Sequence, residues 1–142
     1  MTTVRQILDA KGHDVSTIGP DDTVFDAIKK MADENIGSLV VLDGEKMVGI
    51  ITERHYARNV VLKGKRSPNT LIKDIMSKRA VCASPDQSVE ECMAVMTDKA
   101  VRHLPELENK HLVGMVSIGD LVKSIIGGQK FIIEQLEQYI GG

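Results

Sequence analysis

The chain very nearly repeats itself. Pro20-Asp21 and Pro85-Asp86 stand 65 residues apart, and the same offset relates Val24 to Val89, Met31 to Met96, Leu39 to Leu104, Leu42 to Leu107, and Val48-Gly49 to Val113-Gly114. No gap is needed from about Val15 to Val61 against Ala80 to Ile126. Upstream, Val4-Arg5-Gln6-Ile7-Leu8 matches Ile72-Lys73-Asp74-Ile75-Met76 at an offset of 68, so three residues have dropped out between. A fixed period of this length means two copies of one supersecondary unit. In 142 residues they form either one ordinary domain or two very small units sharing a core.

Each copy reads as β-α-β-β-α. Asp14 to Ile18, and Arg79 to Ala83, are short extended segments closed by Gly-Pro or Ser-Pro, because the residue before proline avoids the helical region. Thr23 and Ser88 are N-cap candidates with Asp26 and Glu91 three residues on. Val24, Ala27, Ile28 and Met31 then give one apolar helix face, repeated by Val89, Cys92, Met93 and Met96. Ser38 to Leu42 and Met47 to Ile51 read as strands joined by Asp43-Gly44, a hairpin signal. Their counterparts run from Leu104 to Leu107 and from His111 to Val116. Pro105 lacks a donor and must sit at an edge or irregular part of its strand. Glu106 falls where the first copy has Val41, and is expected to face solvent or to depart from the usual packing.

A second helix follows each hairpin, from Glu53 to about Leu62 and from Ile118 to about Ile126. The chain thus divides into a first repeat with its lead-in (1–62), a basic connector (63–71), a second repeat (72–126) and a tail (127–142). Gly127-Gly128 is expected to end the second repeat. The tail then reads as a separate short amphipathic helix with Ile132, Leu136, Tyr139 and Ile140 on one side. So short a helix is marginal alone, so it should dock on its own module or on a second subunit.

Composition excludes several function classes. A formal net charge of −2 and 3% aromatic residues leave nothing to hold a polyanion or stack bases, so nucleic acid is not expected as a partner. No apolar run approaches a membrane span, and the start shows no signal or transit peptide, so a cytoplasmic protein is the default. Cys82 and Cys92 match no zinc or redox spacing and read as buried thiols. His13, His55, His103 and His111 show no partner spacing that suggests a metal. No activated nucleophile, phosphate loop or carboxylate–histidine cluster points to an enzyme.

The chemistry concentrates at Gly114-Met115-Val116-Ser117-Ile118-Gly119-Asp120, where a buried strand passes into a helix. A hydroxyl and a carboxylate three residues apart form a capping pair. They also stand where free backbone N–H groups gather, which suits a polyol or a phosphate. Cap, ligand site or both is left open by the residues alone. The 65-residue offset carries Ser117 to Thr52 and Asp120 to His55. A neutral imidazole cannot present two carboxylate oxygens. The first-copy site is therefore empty, weaker, pH-sensitive or fitted to another ligand.

The duplicated unit, with Ile72-Lys73-Asp74-Ile75-Met76, Pro85-Asp86, Arg102-His103-Leu104-Pro105 and the Gly114–Asp120 run, resembles a pair of CBS domains over Val4 to Ile126. The Thr52-Glu53-Arg54 run, the connector and the tail are similar to the small stand-alone CBS-pair proteins. That resemblance implies an α/β (α+β) fold of two repeats packed with pseudo-two-fold symmetry, plus a C-terminal helix. It implies two clefts for adenosine-containing ligands: AMP, ADP, ATP, NAD(H) or S-adenosylmethionine, regulatory and not catalytic. Asp120 would hold ribose hydroxyls, with Ser117 near ribose or phosphate. By the family's cross-repeat arrangement Thr17, Ile18, Ile36 and Gly37 of the first copy would line the adenine of the Ser117/Asp120 cleft, and Arg102 and His103 would meet phosphate. Thr52, Arg54 and His55 are the first-copy counterparts, where poor ribose binding is the plainest expectation. The implied function is a sensor that signals to an unidentified effector protein, as a homodimer meeting through its second helices. The alternative is a structural dimerisation module with vestigial pockets.

Overall fold

A computed structural model describes residues 2–141 of the chain, with side chains as far as Gln138. In chain order the elements are α1 (Val4–Lys11), β1 (Thr17–Ile18), α2 (Val24–Glu34), β2 (Ser38–Asp43), β3 (Lys46–Thr52), α3 (Glu53–Tyr56), α4 (Val89–Lys99), β4 (His103–Glu108), β5 (His111–Ser117) and α5 (Ile118–Gly141). A π-helical turn, Ala57–Val61, extends α3, and the connector holds two 3₁₀ turns, Ser67–Asn69 and Ile72–Asp74. The repeat is visible as α2-β2-β3-α3 against α4-β4-β5-α5.

Two compact units result, and they are not the two sequence repeats. One contains residues 2–13, Val81–Asn109 and 113–141; the other contains Asp14–Ala80 and Lys110–Leu112. The lead-in of each copy therefore lies with the body of the other. In the first unit Val4 N–H donates to Gln87 O (3.0 Å), Arg5 N–H to Pro85 O (2.8 Å) and Val89 N–H to Thr2 O (3.0 Å). In the second, Ile72 N–H donates to Asp22 O (2.9 Å), Lys73 N–H to Pro20 O (3.0 Å) and Val24 N–H to Thr70 O (2.8 Å). The same three bonds are made twice, each seating a lead-in against the start of a helix.

The second unit carries the sheet β1-β2-β3, with β1 parallel to β2 and β2 antiparallel to β3. Gly44, at φ +64°, turns the hairpin between Asp43 and Lys46. Its core is Val24, Ala27 and Met31 of α2 against Leu39, Val41 and Ile51, closed by Val60, Ile72 and Ile75. Thr23 caps α2 by accepting from Asp26 N–H (3.2 Å), and Asn35 ends it in the left-handed region at φ +55°. That conformation suits asparagine.

The first unit packs Val4 and Leu8 of α1 with Val89, Cys92 and Met96 of α4, Leu104 of β4, Val116 of β5 and Leu121 of α5. Ser88 and Glu91 form a reciprocal capping box. Asn109 (φ +52°) and Lys110 (φ +66°) make a turn with both central residues left-handed, which matches the twist of a tight hairpin. Pro105 explains why this unit has no full counterpart of β1. In the second unit Val40 N–H donates to Ser16 O (3.2 Å), and Pro105 stands at that position with no N–H. The parallel ladder shrinks to the single bridge Ala83–Glu106, held by Ala83 N–H on Pro105 O (3.0 Å) and Leu107 N–H on Ala83 O (2.9 Å).

Of the two places expected for Glu106 the structure has the second, a departure from the usual packing: it is 0% exposed, at the core position of Val41, and neither carboxylate oxygen has a hydrogen-bond partner. Expectations for the C-terminal end change. Gly127-Gly128 does not end a helix, since α5 runs from Ile118 to Gly141 without a break. Of the two docking surfaces expected for the tail, its own module is not the one used: Phe131, Ile132, Ile133 and Leu136 are all more than half exposed. The side chains of Tyr139 and Ile140, expected on the same face, lie outside the described ones. A smaller correction concerns His13, whose Nε2 lies 3.0 Å from Asp9 Oδ1, an acidic partner four residues back.

Candidate functional site

β5 delivers Ser117 to the start of α5, and the capping pair forms in both directions. Asp120 N–H donates to Ser117 Oγ (3.2 Å), and Ser117 N–H donates to Asp120 Oδ2 (2.9 Å). A third donor completes the arrangement from the far end of the chain. Lys11, the last residue of α1, places its ammonium 2.8 Å from Asp120 Oδ2 and 2.8 Å from Met115 O. Oδ2 thus accepts twice, while Oδ1 has no hydrogen-bond partner among the described residues. Burial works against ionisation of Asp120, but the hydrogen bonds from Lys11 and Ser117 outweigh it and hold the carboxyl below its usual range. The site therefore offers one engaged and one open anionic oxygen, half-buried.

Arg102 belongs to the same place through its backbone, its carbonyl accepting from Ile118 N–H at 2.9 Å. Its side chain is exposed, and His103 begins β4. Four predicted residues thus share one unit: Ser117, Asp120, Arg102 and His103.

Thr17, Ile18, Ile36, Gly37, Thr52, Arg54 and His55 all fall in the other unit. There the same local construction is repeated with altered chemistry. Gly37 O accepts from Glu53 N–H (3.1 Å), the counterpart of the Arg102–Ile118 bond, so Ile36-Gly37 lies against the start of α3. Thr17 and Ile18 form β1, and Thr17 O accepts from the Lys30 ammonium at 2.6 Å. His55 N–H donates to Thr52 Oγ1 (3.2 Å), and Thr52 N–H donates to His55 Nδ1 (3.1 Å). A backbone N–H on Nδ1 requires that nitrogen to be an acceptor, which leaves the ring proton on Nε2. Burial, and then the neighbouring Arg54, push the His55 pKa below its ordinary value. Where Asp120 presents a carboxylate, this end presents a neutral N–H donor, with the exposed Arg54 beside it.

The sequence points to no role for Lys11, and to none for Glu106 beyond its unusual position. Nothing local marks Lys11, which meets a partner 109 residues away. Glu106 did carry a signal, its alignment with an apolar position in a strand. Its carboxyl is pushed up to about 7 by burial. Its charge and, more strongly, burial raise the thiols of Cys82 and Cys92, the latter to about 11. That places both sulfurs in the same electrostatic neighbourhood and makes Cys92 a poor thiolate. Among the described residues no cluster of histidine, cysteine and carboxylate could hold a metal, and no helix is long and apolar enough to cross a membrane.

Two copies of a β-hairpin flanked by helices, each hairpin ending in a hydroxyl-led helix start, define a tandem-repeat module with a polar end in each unit. The CBS-domain family model matches residues 4–61 and 72–127, and the chain belongs to that family. It is 35% identical over 150 aligned positions to the Arabidopsis thaliana protein named CBS domain-containing protein CBSX3, mitochondrial, covering 99% of this chain and 73% of the relative. A solved CBS-domain protein from Burkholderia ambifaria MC40-6, provisionally assigned to signal transduction, is 50% identical with a TM-score of 0.87, over 90% of this chain and 96% of that one. The cyanobacterial CBS-CP12 protein, described as hexameric, is 26% identical with a TM-score of 0.76, over 86% of this chain and 71% of that one. The relatives support a regulatory CBS-pair module.

Proposed function

We propose that the chain is a non-catalytic, cytoplasmic sensor module that binds an adenosine-containing ligand through Asp120 and signals to an effector protein by a change in conformation. The observation that carries this is the half-buried Asp120 carboxyl with Oδ1 open, held below its usual range by the bonds from Lys11 and Ser117. A carboxylate accepting from a vicinal diol makes charge-assisted hydrogen bonds of about 1.5–3 kcal/mol each. The His55 end, with a donor in place of those acceptors, is the weaker ribose site. Purified protein is expected to gain thermal stability with AMP, ATP or NAD(H), by about 2.7 kcal/mol at ligand 100-fold above Kd. Asp120→Ala should remove most of that gain, and calorimetry should count one tight site per chain. No shift with any adenosine compound would overturn the proposal.

A second reading, a dimerisation module with vestigial pockets, is favoured by exposed apolar residues that share one side of α5: Val122, Ile126, Ile132, Ile133 and Leu136. Such a surface on one helix marks a partner-binding face, and a second copy is the occupant that both readings share. Light scattering at micromolar concentration is expected to give a dimer or larger. Leu136→Glu combined with Ile132→Glu should lower the mass to that of one chain, and a wild-type monomer would refute the assignment.

A further inference from the structure

Lys11 occupies the Asp120 oxygen that a second ligand hydroxyl would need. Oδ2 of Asp120 already accepts from Ser117 N–H and from the Lys11 ammonium, so a vicinal diol that engages both oxygens must displace the one donor that is not fixed in the backbone. Lys11 can move: its side chain is 38% exposed, on the last residue of α1, and is followed by Gly12 at φ +107°. Leaving Asp120 strips the ammonium of its counter-ion beside Met115 O, a neutral acceptor that cannot replace a charge.

We infer that Lys11 is a specificity-determining residue of this site, a resident cation that exchanges Asp120 for a phosphate ester on the incoming ribose and so selects phosphorylated adenosines. The inference rests on the adenosine reading given above. A neutral nucleoside gives Asp120 its hydroxyls but leaves the displaced Lys11 ammonium without an anion. A nucleotide also frees that ammonium but offers it a new anion within the sweep of a flexible four-carbon stem. S-adenosylmethionine, which carries net positive charge, is the worst of the adenosine ligands, because it adds a cation beside the displaced one. Among the ligands that share adenine and ribose, Lys11 therefore favours AMP, ADP, ATP and NAD(H).

Calorimetric titration of the full chain with AMP and with adenosine tests this, using wild type, Lys11→Met and Lys11→Arg. The wild type should prefer AMP by about tenfold or more, the worth of one charge-assisted hydrogen bond. In Lys11→Met adenosine should bind several-fold tighter (roughly, the same bond no longer broken) and AMP more weakly, so the preference falls to what Arg102 and His103 supply. Lys11→Arg should keep it. An AMP-to-adenosine ratio in Lys11→Met equal to that of the wild type overturns the role of Lys11, while Asp120-dependent binding leaves the site itself standing. Failure of the wild type to bind either ligand overturns the adenosine reading and this inference with it.

Discussion

Replacing Glu106 by methionine is expected to stabilise the protein, and by more at pH 8 than at pH 5. A carboxyl with no exposure and no hydrogen-bond partner has two costs: the unsatisfied polar group at all pH values, and the burial of charge once it ionises. Burial raises its pKa from 4.5 to about 7. The folded state therefore holds a proton that the unfolded chain has released, and stability falls as pH rises from about 4.5 to 7, then levels off. A difference of this size corresponds to about 3 kcal/mol across the window, most of it between pH 5 and pH 8. Methionine has the length and flexibility of glutamate without the charge, and the first copy places an apolar residue, Val41, at the same position. Urea unfolding at the two pH values is the measurement, with Glu106→Gln as an isosteric variant that removes only the titration. His13, with its pKa raised by Asp9, also loses stability as pH rises, and His55, with a lowered pKa, works the other way. Both are common to wild type and variants, so the difference isolates Glu106. An equal gain at both pH values would mean that Glu106 does not ionise in this range.

Glu106 also shows how far the amino-acid pattern reaches. The repeat, the caps at Thr23, Ser88 and Ser117, and both hairpins follow from short-range periodicity and turn chemistry, and the structure has them where the pattern put them. The inequivalence of the two polar ends was legible too, because a single substitution, histidine for aspartate, changes the donor–acceptor count. What local rules do not encode is the choice of distant partner. Each lead-in could have packed on its own copy, and only the geometry of the paired bonds from Val4 and Ile72 selects the other. Lys11 reaches Asp120 for the same reason. The unbroken α5 failed differently: each glycine costs about 1 kcal/mol in a helix, but the good helix formers Lys123, Lys130, Leu136 and Glu137 on either side outweigh two of them. For Glu106 charge points to the surface and register to the core, and register decides: its offset partner is the core valine Val41.

The glycine that opens the repeated Gly-apolar-apolar-Ser/Thr run should respond differently to alanine in its two copies. A Cβ on Gly49 would lie 2.7 Å from Ser77 O and 2.8 Å from Met76 Sδ. Met76 can turn aside, but Ser77 O accepts from Ile50 N–H at 3.1 Å while Ser77 N–H donates to Ile50 O at 2.9 Å. Retreat of that carbonyl breaks a two-bond bridge, so Gly49→Ala should destabilise by about 3 kcal/mol, the upper end for overpacking. The nearest atoms to a Cβ on Gly114 all belong to a side chain, Leu8, at 2.6 Å for Cδ2 and 2.8 Å for Cδ1. Leu8 is 0% exposed on α1 and has nowhere to go, so Gly114→Ala alone should cost roughly 1–3 kcal/mol. Leu8→Ala alone should cost about 2–5 kcal/mol through the cavity it leaves. Together the two changes should be clearly less than additive, because the new methyl occupies part of the space that leucine vacates. Denaturant unfolding of the four proteins of that cycle measures the coupling. Additivity within about 0.5 kcal/mol would mean that α1 does not rest on β5 through Leu8 and Gly114, and that the contact seating Lys11 beside Asp120 lies elsewhere.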